Sequence, residues 1–100
     1  HNFYVISDEI YEKIVYDNNE FFSFASLGPE VKRLTLTCNG ASKAYSMTGW
    51  RIGYVAVDAQ IVAAVSRIQD QVTSNPTSIT KYAALDALTD LFDRHCHRAE

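Results

Sequence analysis

Cysteine is scarce in this 100-residue sequence: Cys38 and Cys96 are the two present. A disulfide scaffold needs several regularly spaced cysteines, so that class is excluded. Two prolines and four glycines are too few for a collagen-like or low-complexity chain. No apolar run approaches the ~20 residues of a transmembrane helix, and the opening residues lack a signal-peptide profile. A basic excess is missing as well. The formal net charge is −3 with basic residues scattered, which argues against nucleic acid or an anionic membrane as partner. Neither an internal repeat nor a low-complexity segment occurs. What remains is ordinary globular material, 47% hydrophobic and 21% charged, of a length that suits one domain. The expected setting is cytoplasmic and reducing.

The chain opens directly into the strand-like "NFYVI" and ends in "LFDRHCHRAE", which breaks off a helical pattern without a cap. Both ends set the expectation of a piece of a larger unit. Within it, the apolar run 3–6 predicts a buried strand that ends at Ser7 and Asp8. "RLTLTC" (33–38) alternates, with Leu34, Leu36 and Cys38 on one face, and predicts a second strand. "WRIGYVAV" (50–57) predicts a third. The long connection between the first two permits a parallel crossover, and the short one before the third points to an antiparallel return. Ile61, Val62, Val65, Ile68 and Val72 then recur at helical spacing from an Asp58 start signal. "TSNP" (73–76) interrupts this helix, and Ile79, Tyr82, Ala83, Leu85, Leu88 and Leu91 outline another. Strands alternating with helices predict an α/β fold, with polar sites just beyond strand C-termini.

The segment between the second and third strands reads "NGASKAYSMTGWRIGY" (39–54). It holds Lys43 and Arg51 among small residues. A buried loop keeps two cations only when something anionic or covalent meets them. Lysine is the usual amine for a Schiff base with a carbonyl compound, and arginine offers a rigid fork for phosphate. Gly40, Ala41 and Ser42 let donors approach an anion closely. A carboxylate such as Asp8 suits a protonated ring nitrogen. Pyridoxal 5′-phosphate, with its aldehyde, phosphate and pyridine nitrogen, is the ligand that asks for this set.

"SDEIY", "NGASKAYSMTGWRIGY" and "TSNPTSITKYAALDAL" together resemble the class I/II aminotransferases of the aspartate aminotransferase superfamily, fold type I. The resemblance runs from about residue 3 to residue 88. It implies that residues 1–100 are part of that family's cofactor-binding large domain, with 89–100 as a divergent or truncated tail. It also implies a pyridoxal-phosphate-dependent transamination between an amino acid and a 2-oxo acid, by a homodimer. Lys43 matches the lysine that carries the cofactor and moves the proton. Asp8 matches the acid paired with the pyridinium, and Tyr11 the tyrosine that meets the 3′-oxygen. Ile10 matches an apolar side chain packed on the ring face, and Ser42 and Arg51 match phosphate ligands. Gly40 departs from the many members that have a second phosphate-binding serine there. "TSNPTSI" resembles a segment presented at the dimer interface.

Since the substrate-gripping domain is absent, the isolated 100-residue chain is expected to be inactive. Alternative readings are a fold type I lyase, synthase or decarboxylase, and a non-catalytic piece acting only in dimerisation. Residue by residue there are plainer roles too. Asp8 could cap a helix and Tyr11 could be core. Gly49 and Gly53 read as backbone devices, Trp50 as packing, and the Ile61–Val72 stripe as core or interface. His95, Cys96 and His97 are consecutive, which does not suit one tetrahedral metal site, so they read as a polar tail and no metal is expected.

Overall fold

The structure is a computed structural model that describes residues 2–89. The His95-Cys96-His97 reading, and all but Thr89 of the 89–100 tail, therefore lie outside the described residues. Three strands, β1 (Val5–Asp8), β2 (Thr35–Gly40) and β3 (Gly53–Ala56), form one sheet in that order. β1 runs parallel to β2, with Asp8 opposite Cys38. β3 runs antiparallel to β2, with Gly40 opposite Gly53. A 3₁₀ turn (Phe24–Leu27) and helix α1 (Pro29–Leu34) lie in the β1–β2 crossover. One-turn helix α2 (Ala41–Ala44) and a second 3₁₀ turn (Thr48–Trp50) link β2 to β3. Helices α3 (Ala59–Val72) and α4 (Ser78–Leu88) follow. The expected α/β class and strand directions are thus observed.

Both early strands begin two residues later than their sequence patterns suggest. Pro29 opens α1 with its φ already helical, and Lys32 and Arg33 favour its C-terminal end, so the helix takes Arg33 and Leu34. Thr35 closes it: its N–H donates to Lys32 O, and its Oγ1 donates to Val31 O at 2.7 Å. Strand pairing starts only there, and β1 can be a strand only where β2 is present to pair with it. The phase of β2 differs too. Its best-buried residues are Thr35, Asn39 and Gly40, while Leu36 and Cys38 are half-buried. Thr35 is 2% exposed because it sits under the last turn of α1 with its hydroxyl satisfied.

The helices obey their start signals. The Asp58 carboxylate accepts the N–H of Gln60 at 3.0 Å and caps α3. After Val72 the chain breaks at Ser74, whose φ is 59°, and Pro76 precedes the extended Thr77 that opens α4. The face of α4 is a correction. Its large side chains point outward, Tyr82 being 71% exposed, and Thr80, Ala84 and Ala87 are buried instead. Ala87 joins Ala41 and Met47 in the core, with Tyr45, Ile52 and Ala83 packed around them. Small side chains fill this seam, where leucine would be too large for the space. The helix is apolar on both sides, the pattern of an element meant to be covered all round. Val62, Ile68 and Val72 of α3 are likewise exposed.

Ala87→Leu is expected to destabilise the full-length protein by about 1–3 kcal/mol through overpacking against Met47. Chemical denaturation measures it, and an unchanged midpoint would mean that α4 does not rest on this alanine.

Candidate active site

Asp8 is the last residue of β1, and its Oδ1 accepts the N–H of Ile10 at 3.3 Å. That bond bends the chain away from the sheet. Two further turns follow, Glu12 N–H to Glu9 O at 3.0 Å and Ile14 N–H to Tyr11 O at 2.8 Å. They bring Tyr11 beside the next strand end, where the Lys43 ammonium lies 5.6 Å from its ring centroid.

The loop that carries Lys43 is a sequence of tight turns. Ser42 is half-buried in α2, and Lys43 follows it on the exposed side. Tyr45 N–H closes α2 onto Ala41 O at 3.2 Å. Ser46 and Arg51 both occupy the left-handed region, at φ 54° and 52°, which a non-glycine residue reaches only when its surroundings impose it. Between them Met47 is buried against the core. Arg51 donates from Nη1 to Thr48 O at 3.0 Å and borders a groove of about 610 Å³ that Trp50, Thr77 and Thr80 also line.

Gly40 is where the three segments meet. A Cβ on it would lie 2.7 Å from Ile52 O, 3.1 Å from Gly53 Cα and 3.3 Å from the Cδ1 of Ile10. The end of β2 therefore touches both the residue before β3 and a side chain just beyond β1. Asp8 stands two residues from one side of this contact, Ser42 and Lys43 two and three from another, and Arg51 one from the third. In this chain the backbone of Ile52 occupies the space that a side chain at Gly40 would need. Gly53 serves the same close approach, 3.2 Å from Asn39 O to its own notional Cβ.

One expectation is not met. Asp8, Tyr11, Lys43 and Arg51 are all exposed, so the loop that carries the two cations is not a buried one. The electrostatics of the corner include Tyr54, opposite Asn39 in β3. Its hydroxyl is held above the ordinary tyrosine value of 10.0, by partial burial first, then by the carboxylate of Glu12, then by Tyr45.

Glu9 escaped the sequence reading. It is 6% exposed, and its Oε1 accepts three hydrogen bonds of 3.0 Å, from Ser7 Oγ, Ser23 Oγ and Phe24 N–H. The available signal was its place in phase with Val5 and Ser7, the inward face of β1.

Residues 1–98 match the family described as aminotransferase class I and II. An aspartate/prephenate aminotransferase of Cereibacter sphaeroides is 51% identical over 86 residues, 86% of this chain and 22% of that protein. An aspartate aminotransferase of Bacillus sp. strain YM-2 is 50% identical over the same shares of the two chains. The crystal structure of the aspartate aminotransferase from Rhizobium meliloti aligns with a TM-score of 0.83 at 42% identity, over 95% of this chain and 24% of that one. The chain belongs to the aminotransferase class I and II family. It spans about a quarter of the length of these relatives.

Gly40→Ser supplies a hydroxyl but drives it into Ile52 O, so a loss of about 1–3 kcal/mol is expected in thermal or chemical denaturation. Equal stability would show that the strand ends can part freely. For Tyr54, a raised folded value gives a contribution that is fully present below pH 10 and is lost as pH rises through the folded value. Tyr54→Phe should therefore flatten the decline of stability above pH 10; an unchanged slope in alkaline denaturation would exclude the effect.

Proposed function

We propose that the full-length protein carrying this chain is a pyridoxal-phosphate-dependent aminotransferase that exchanges an amino group between an amino acid and a 2-oxo acid. The donor class inferred from the relatives' names is aspartate, with prephenate as one candidate acceptor. The observation that carries the reading is the corner at Gly40, where the end of β2 meets Ile52 and Ile10 and the Lys43 ammonium lies 5.6 Å from the Tyr11 ring centroid, with Asp8, Ser42 and Arg51 within two residues of those contacts in sequence. That donor set fits the cofactor group by group.

The chemistry such a cofactor supplies when bound is an electron sink for the carbanion formed beside the substrate's nitrogen. The remaining work falls to this chain's residues. Nζ of Lys43 would hold the cofactor covalently, and as a free amine it would serve as general base for the proton on the substrate's Cα. The Asp8 carboxylate holds the proton on the ring nitrogen, because an adjacent negative charge favours the protonated form. The Tyr11 hydroxyl donates to the ring oxygen, and Ile10 presents an apolar surface to the ring. Ser42 and Arg51 hold the phosphate, with Arg51 already oriented by its bond to Thr48 O. The exposure of these side chains supports a site whose remaining walls come from the rest of the protein and from a second subunit. A homodimer in the cytoplasm is the assembly and setting proposed.

Lys43→Ala is expected to reduce turnover of aspartate with 2-oxoglutarate by at least about a thousandfold, since it removes both the covalent anchor and the base. Borohydride treatment of the wild-type protein should fix the cofactor's mass on the peptide containing Lys43. Normal turnover in the variant, or no mass added, would refute the assignment. Slow turnover of every amino acid alongside normal cofactor fixation would favour a lyase or decarboxylase.

A further inference from the structure

Glu9 is a buried carboxylate that the proposed chemistry does not use. We propose that it is the positioning residue for Asp8, a role that rests on the functional reading above. Asp8 is held weakly by its own contacts, with one 3.3 Å bond to the N–H of Ile10, longer than the usual 2.9–3.0 Å. Its aim is therefore set by the backbone. Consecutive residues of an extended strand project to opposite faces, so fixing one fixes the direction of its neighbour. Burial alternates along β1, with Val5 and Ser7 inward and Ile6 and Asp8 outward, and Glu9 continues the inward set.

Glu9 is fixed at both its main chain and its side chain. Its N–H donates to Cys38 O at 2.9 Å, which carries the β1–β2 ladder one residue beyond Asp8. Its Oε1 gathers Ser7 from its own strand and Ser23 and Phe24 from the far end of the following loop. A carboxylate receiving three donors is a strong anchor, and its removal leaves those donors to be satisfied elsewhere. Asp8 is thus clamped from behind: the loop at 23–24 holds Glu9, and Glu9 holds the strand end that presents Asp8 on the opposite face.

The test uses the full-length protein and pyridoxal phosphate itself as probe, with cofactor dissociation constant, absorption spectrum of the bound form at fixed pH, and melting temperature as readouts. Glu9→Ala is expected to weaken cofactor binding by about tenfold or more and to move the spectrum in the direction Asp8→Asn moves it. Glu9→Gln keeps an acceptor oxygen and should stay within about threefold of wild type with an unmoved spectrum. Asp58→Ala, which loses a distant helix cap, should lower the melting temperature while leaving affinity and spectrum unchanged. If Glu9→Ala does not fold, Ser23→Ala, which removes one donor, should show the same changes at smaller size. Wild-type affinity and spectrum in Glu9→Ala, or in Ser23→Ala in its place, overturn the role even if stability falls. No cofactor uptake by the wild-type protein overturns the functional reading and this role with it; normal uptake with an unmoved variant overturns the role alone.

Discussion

The site depends on a contact between two stretches of backbone that leaves no room for a side chain. At Gly40 the end of β2 meets the carbonyl of Ile52, and Ile10 closes the same point from the direction of β1. Backbone is far less compressible than a flexible side chain, so this contact fixes both ends of the loop between Gly40 and Ile52. Buried Met47 holds the middle. With three points pinned, the intervening residues have few conformations left, and the loop closes only with Ser46 and Arg51 in the left-handed region. Strain at these two positions is the local cost of turning the chain so tightly between β2 and β3.

The charges of the chain divide by how they are satisfied. Glu30 and Arg33 pair across one turn of α1 at 3.3 Å on the open surface, an arrangement that contributes little in water. Glu9 instead is buried, and the donors to it are two hydroxyls and a peptide N–H. Such an arrangement ties residue 7 to residues 23 and 24 through one side chain. Lys43 and Arg51, by contrast, are left facing outward.

Much of this was legible from residue order. The Asp58 cap, the stop after Val72 and the restart after Pro76 follow from local chemistry, and they appear where the pattern puts them. Strand edges were less legible because a strand is defined by its partner: Leu34 has a strand-like pattern, yet Pro29 and Thr35 commit it to α1. The inward face of α4 was misjudged for a different reason. Periodicity marks where apolar residues recur but not which of two apolar faces packs inward, and here the alanine side does. Of the site residues, Tyr11 and Lys43 are brought side by side across the ends of β1 and β2, while enclosure is not encoded in a quarter of a protein. Glu9 was hidden because its partners Ser23 and Phe24 come from a loop with no regular pattern.

The cluster that Met47 and Ala87 share with Ala41 has a mechanical consequence. It couples α4 to the midpoint of the loop that separates the amine from the guanidinium. The outer side of that helix leaves Ile79, Tyr82, Leu85 and Leu88 exposed. Variation on that outer side can therefore leave the buried alanines, and the loop seated on them, untouched.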